Sequence, residues 1–485
     1  MRIRQRALSS SRAVMSERSH RIDQTQALLY HARAATPFCS EDGEPCASIP
    51  STVDSRRVLA LRSASFRDWL TANFYSEYET APSSTAFRAA LRMLEARARY
   101  GEMPAQKVGH RLSFEGDPFT PSRIILDLAN AEGELLEISS QGWQTTGNLR
   151  HPFHQSPTAL PLPCPDSSPS SQPLEQFAEI FRLTGANRTH AFTWLAAALR
   201  PVGPYPVLVL RGPAASGKSL LARALRALID PSTVPLRRLP ARDRELLQLA
   251  LQNWILVFDQ VYRVPSKMSE ALCALSSGDT LEIARAARPL ILITPTDETR
   301  TCWSPSRNLS SRTITIDLPP ITALRPEALL WVQFEALRPA ILATLATAVA
   351  TALGRIREID LGNVGRFPDC AAWAAAAAPA LGLDRSAIVN AFADFSSVWA
   401  GSNPLHEAIH AFLRDHGAWT GSATELLRQL RKIAPLADLP ATPKGLSQAL
   451  PRIGGILVGR KRDVRGDRVL TIHSASDVSA RTARN

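Results

Sequence analysis

Eight consecutive residues, Gly212-Pro213-Ala214-Ala215-Ser216-Gly217-Lys218-Ser219, fill every fixed position of the pattern G-x-x-x-x-G-K-[ST]. Glycines in such a loop permit backbone angles that turn successive N–H groups inward, where they cradle phosphate oxygens. The pattern lies between the apolar run Val207-Leu208-Val209-Leu210 and a helical stretch over Lys218 to Leu228. The mechanism requires that context, because the start of the helix adds a dipole worth roughly 0.3–1 kcal/mol per negative charge. The spacing therefore predicts a site for ATP lined by Gly212 to Ser219. Lys218 is expected on the β- and γ-phosphates and Ser219 on Mg²⁺.

A phosphate loop of this kind needs a second metal-organising carboxylate at the end of a neighbouring strand. Trp254-Ile-Leu-Val-Phe-Asp259 supplies an apolar run ending in one, so Asp259 is expected to complete the metal site. The next residue is Gln260, an amide that can orient an attacking water but cannot take its proton. Thr294, after the run LILI, is the residue expected to face the γ-phosphate from the next strand. Arg312, just before the run TITI, is the candidate to stabilise transition-state charge from a neighbouring subunit, with Arg307 as the competing choice.

The apolar runs 207–210, 255–258, 290–293 and 313–316 alternate with helical stretches, which implies a largely parallel sheet flanked by helices. The expected fold class is α/β: a P-loop NTPase core over 174–325, followed by a helix-rich region over 326–400. Residues 56–150 read as a small α+β domain, with a helix from Ser84 to Tyr100 and strands at 124–128 and 135–138. Residues 1–55 read as poorly defined, and Met15 is an alternative start. Seven prolines between His151 and Pro173 block helix and ladder formation, so 151–173 reads as a linker.

The 485 residues carry a net charge of +12, which favours an acidic polymer as partner. Six cysteines form no Cys-x-x-Cys pair, so neither a zinc site nor a disulfide framework is signalled and a cytoplasmic location is expected. The apolar stretches at 340–353 and 371–383 fall short of the roughly 20 residues that span a bilayer, and no membrane partner is expected. The first 19 residues lack the apolar middle of a secretory signal.

Residues 405–485 read as helix, helix, helix, hairpin, the order of a winged helix. Ser422 and Glu425 form a capping box, and Thr442 with Pro443 opens a third helix that Pro451 cuts short. From 441 onward nine Lys or Arg stand against three Asp, a net +6 that is half of the chain's whole excess. Lys444 and Arg452 on the helix, with Arg460, Lys461, Arg462 and Arg465 on the wing, are expected to hold DNA phosphates.

GPYPVLVLRGPAASGKSLLARALRALIDPS, RELLQLALQNWILVFDQV and SSRTITIDLPPI together resemble the ATPase part of phage- and plasmid-type primase/helicase proteins, near the superfamily 3 helicases of the AAA+ class. The resemblance spans roughly residues 175–320. It implies an AAA+-like fold and a ring-forming, Mg·ATP-dependent motor on single-stranded or fork DNA during replication of a mobile element. It assigns Lys218 and Ser219 to Walker A, Asp259 to Walker B and Arg312 to the finger. The chain departs from the pattern at Gln260, at Ile293-Thr294 where relatives have Asn, and at the short segment SSGDTLEIARAAR, where Arg285 and Arg288 remain to touch phosphate. A regulatory ATPase that switches without unwinding is therefore the alternative. Residues 56–150 hold no carboxylate cluster for primer synthesis.

Overall fold

The computed structural model describes residues 23–50, 56–147, 152–154, 156–167, 172–262, 264–278, 287–294, 306–321, 325–361, 364, 366–397, 404–433, 439–440, 442–450, 456–462 and 468–474. The chain divides into two compact units. The first comprises residues up to 162 apart from 116–123 and 138–143, which group with the remainder of the chain in the second.

In chain order the first segment holds α1 (Gln24–His31), β1 (Thr36–Cys39), β2 (Pro45–Pro50), β3 (Arg56–Ala60), α2 (Ala64–Tyr78), α3 (Ser84–Tyr100), β4 (Leu112–Gly116), β5 (Pro121–Asp127), β6 (Glu134–Ser139) and β7 (Gly142–Gly147). Strands β1-β2-β3 form an antiparallel sheet, and β4-β5-β6-β7 form a second sheet in that order. Asp23, Ser63 and Ser83 each accept backbone N–H bonds that cap α1, α2 and α3. Residues 23–50, expected to be poorly defined, instead supply α1 and the β1–β2 pair. Leu28 and Ile49 are buried in one core with Phe66, Leu70, Phe74 and Leu94. The one apolar run there, Ala27 to Tyr30, is four residues long, and Pro37, Gly43 and Pro45 break up the remainder, so no periodic pattern signals these elements in sequence.

The stretch expected as a linker is also corrected in its first half. Phe153 is buried with Ile125 and Leu135, and its neighbours pair with Gly109 in both directions. Proline removes a donor but keeps its carbonyl, and the Pro152 carbonyl accepts from Gly109 N at 2.9 Å. An extended Pro-rich segment can thus line a sheet edge.

The second unit continues with α4 (Pro173–Phe181), α5 (Gly185–Ala198), β8 (Val207–Arg211), α6 (Lys218–Ala227), α7 (Asp243–Ala250), β9 (Leu256–Phe258), α8 (Ser266–Ser277), β10 (Leu290–Ile293), α9 (Arg307–Ser310) and β11 (Thr313–Asp317). The strands form one parallel sheet in the order β11-β8-β10-β9, and an isolated parallel bridge from Arg237 to Phe258 flanks β9. Being covered on both faces, β9, β10 and β8 up to its last residue, Arg211, are apolar rather than alternating.

Then come α10 (Glu327–Arg355), α11 (Pro368–Ala377) and α12 (Arg385–Ser397). They pack onto α4 and α5 rather than standing apart. Phe334 lies against Phe177 and Phe181, and Trp373 donates its indole N–H to the Ala196 carbonyl at 3.0 Å. At 29 residues α10 runs well past the apolar stretch read from sequence. With the turn that follows it, it is the one described helix long and apolar enough to cross a membrane, and its buried residues face the helices just named.

The last described elements are α13 (Pro404–His416), β12 (Trp419–Gly421), α14 (Ala423–Ile433), α15 (Pro443–Ala449), β13 (Ile456–Arg462) and β14 (Arg468–Ser474), with an antiparallel sheet ordered β12-β14-β13. Ile409 and Phe412 of α13 are buried with Leu426, Leu430, Leu446 and Ile472, so the three helices and the sheet share one core.

Candidate nucleotide site

The parallel order puts β10 between β8 and β9, and the chain leaves β8 for β9 on one side but leaves the adjacent β10 for β11 on the other. Such a switch point opens a crevice at the C-terminal strand ends. Residues 212–217 leave β8 there and turn into α6. Gly212 has φ +146°, and a Cβ on it would lie 2.5 Å from the Leu318 carbonyl oxygen and 2.8 Å from Ser216 Oγ. Gly217 has φ +89° at the cap of α6, and Ala215 holds φ +54° despite its side chain. Pro213 follows Gly212 into a turn whose tip, Ala214 and Ala215, is exposed while Ser216 is buried. Gly212→Ala is expected to lower nucleotide affinity and cost about 1–3 kcal/mol of stability, from the strained angle and the collision. Thermal unfolding and titration with a fluorescent ATP analogue check both.

Lys218 Nζ donates to the Gly212 and Pro213 carbonyls, each at 2.8 Å, so the ammonium lies folded across the mouth of the loop. Burial lowers its pKa below the ordinary lysine range, and the charge of Asp259 opposes that shift. Ser219 Oγ donates to Asp259 Oδ2 at 3.1 Å, and Asp259 Oδ1 accepts from Gln260 N at 2.7 Å. The hydroxyl and carboxylate, reached from the ends of two different strands, thus meet as ligands of one hard cation must. Among the described residues no group of three or more His, Cys, Asp or Glu can hold a metal alone. Mg²⁺ bound by Ser219 and Asp259 would take its other ligands from phosphate and water, which suits this donor set.

Thr294 sits at the tip of β10 between these groups, but its hydroxyl turns back to the Leu210 carbonyl at 3.3 Å and the residue is buried. Arg312 is not brought to the site. Its carbonyl accepts from Val207 N at the opposite end of β8, and its guanidinium is buried on Ser277 Oγ and the Asn308 carbonyl. Arg307 begins α9. Arg288, expected on phosphate, is 3% exposed and bonds the Ala250 and Asn253 carbonyls while stacking on Trp254. Arg285 lies outside the described residues.

The groups that position this site have no counterpart among the sequence expectations. Arg226 and Asp230 are buried together: Arg226 donates to Asn253 Oδ1 at 2.8 Å, and Asp230 Oδ2 accepts from Trp254 N and Ile255 N at 2.9 and 3.0 Å. They tie the end of α6 to the start of β9 and so fix where Asp259 emerges. Arg238 donates to Gln260 Oε1 at 3.2 Å, and Gln260 is itself exposed with φ +55°. Among abundant arginines, nothing in the local sequence singles out either contact.

In the C-terminal segment Thr442 Oγ1 caps α15 through Gly445 N at 3.1 Å, and Lys444 is exposed on its first turn. Ser422 accepts from Glu425 N at 3.2 Å, whereas the Glu425 carboxylate pairs with Arg428 instead of closing the expected box. Arg460, Lys461 and Arg462 fall on β13, whereas Arg452 and Arg465 lie outside the described residues.

Residues 176–394 match the family model of the actinomycete integrative conjugative element replication protein. Residues 405–482 match that of the RepA C-terminal domain of the same elements. Over these segments the chain is therefore similar to replication proteins of mobile elements. Among solved structures, it is similar to the active helicase Cch of SCCmec type IV at 12% identity and TM-score 0.49, covering 92% of this chain and 93% of that one. The C-terminal region of NrS-1 follows at 11% and 0.39, covering 92% and 98%. Cdc6p from Pyrobaculum aerophilum gives 13% and 0.20, covering 65% and 93%. No curated protein matches.

Proposed function

We propose that the protein is an ATP-dependent DNA helicase or translocase serving the replication of a mobile element, working as a homo-oligomeric ring. The observation that carries the ATP site is the meeting of Ser219 and Asp259 at 3.1 Å beside a loop whose lysine crosses its mouth. The match over residues 176–394 supports the replication role. In this reading Lys218 neutralises the β- and γ-phosphates, Ser219 and Asp259 hold Mg²⁺, and Gln260 orients the attacking water. Arg312 lies at the far end of the sheet, so any finger role is exerted on a neighbouring subunit after its present bonds are released. Thr294 reaches the γ-phosphate only by leaving Leu210.

The C-terminal order of α13, β12, α14, α15, β13 and β14 supports a winged-helix reading, with α15 and the β13–β14 hairpin toward DNA. Replacing Lys444, Arg460, Lys461 and Arg462 by Gln is expected to weaken duplex binding and to flatten its salt dependence by about 0.9 per lost phosphate contact. Fluorescence anisotropy across a salt series measures it.

A second reading, a nucleotide-driven switch that moves along nothing, is favoured by one observation. Gln260 replaces the usual acid and is tethered to Arg238. Gln260→Glu separates the two. A motor limited by its amide should hydrolyse ATP faster in this variant, whereas a switch should gain no strand separation.

A further inference from the structure

We propose that the exposed face of α3 is a second nucleic-acid contact, in which a stripe of arginines takes the phosphate backbone of single-stranded DNA. It rests on the DNA-dependent reading above and gives the N-terminal unit a role. At 100° per residue, Arg88, Arg92 and Arg99 fall within about 40° of one another, along about 16 Å of helix. Ala86, Ala90, Leu94 and Ala98 occupy the opposing arc and are buried in the core of the unit.

The stripe is of one sign. Arg88, Arg92 and Arg99 are all exposed, and the single acidic residue of α3, Glu95, is 8% exposed. Its carboxylate is spent on Arg62, which donates through Nε at 2.8 Å and an Nη at 2.9 Å, and on Arg99 at 3.6 Å. The bond to Arg62 holds the Glu95 carboxyl below the ordinary range, so it stays ionised and anchors two guanidiniums at the edge of the stripe. Arg88 and Arg92 lie one turn apart, where like charges repel, and neither reaches a carboxylate among the described residues. An anion laid along the helix removes that repulsion.

The chemistry of the face selects the anion. A bilayer requires an apolar face to insert, and that of α3 is already buried. On the exposed arc that continues from the arginines, Tyr100 is 88% and Met93 53% exposed. An exposed aromatic near a row of guanidiniums suits a single strand, whose unpaired bases stack while its phosphates pair.

The test uses the full-length protein, a fluorescein-labelled thymidine oligonucleotide, its matched duplex and anisotropy across a salt series. For the double variant Arg88→Gln with Arg92→Gln, single-strand affinity should fall about tenfold and the slope against log salt by about 1.4, two contacts at about 0.7 each. Arg88→Lys with Arg92→Lys should recover most of the loss, and ATP binding at Lys218 should not change. Tyr100→Ala should weaken the single strand more than the duplex. A double Gln variant with native circular dichroism and wild-type affinity and slope overturns the stripe and leaves the DNA-dependent reading standing. Wild-type protein that fails to bind the oligonucleotide overturns both.

Discussion

Lys218→Ala is expected to reduce ATP binding and turnover by about 100-fold or more, with the fold retained; removing one preorganised donor from a site of developing charge has effects of that order. The side chain contributes little to the apolar core. Its ammonium donates to the loop carbonyls of Gly212 and Pro213 and, at 3.5 Å, to Ser216 Oγ, all within the loop itself, so its removal breaks no hydrogen bond to another element. Thermal unfolding should therefore shift little while nucleotide titration shows the loss. A variant that hydrolyses ATP at the wild-type rate would remove Lys218 from the site. Asp259→Asn should behave alike for turnover but less severely for binding, because it withdraws a metal ligand and leaves the phosphate cradle whole.

The second large effect is structural. Asp230→Ala should destabilise the second unit by about 3–5 kcal/mol, the range for breaking a buried ion pair by deleting one partner. Asp230 Oδ2 is 3.8 Å from the Arg226 guanidinium and accepts the backbone N–H groups of Trp254 and Ile255. Alanine leaves those two donors buried without their acceptor and a guanidinium with one fewer counter-charge. Asp230→Asn keeps an acceptor for the backbone and should cost clearly less. Because the pair sets the start of β9, the Ala variant should also lose ATP affinity through displacement of Asp259. Denaturant unfolding that shows a loss under about 1 kcal/mol would mean the Arg226 bonds to the Asn253 side chain and the Val234 and Pro235 carbonyls suffice alone.

What sequence can reveal here follows from how locally each feature is encoded. The strands at 207–211 and 290–293 are built on the apolar runs VLVL and LILI, that at 313–317 alternates Thr with Ile, and the phosphate loop is fixed by eight adjacent residues, so these are readable to within a residue. The α3 helix over Ser84–Tyr100 is equally plain from its period. Residues 23–50 and Phe153 escape because their burial depends on partners far along the chain. Prolines that read as linker also make an extended edge. The roles of the arginines are the least legible. Arg288 and Arg312 look like phosphate ligands in a basic chain, yet both are buried on backbone carbonyls, while Arg226 and Arg238, inconspicuous in sequence, hold Asn253 before β9 and Gln260 after it. An arginine side chain is long enough that its destination is decided by tertiary structure.

Steady-state ATP hydrolysis by the purified protein, with and without single-stranded DNA and with Lys218→Ala as the blank, decides whether the molecule is a motor. The expected result is turnover that single-stranded DNA stimulates several-fold and that Lys218→Ala abolishes. Tight ATP binding with negligible turnover in both conditions would contradict a motor and leave the switch.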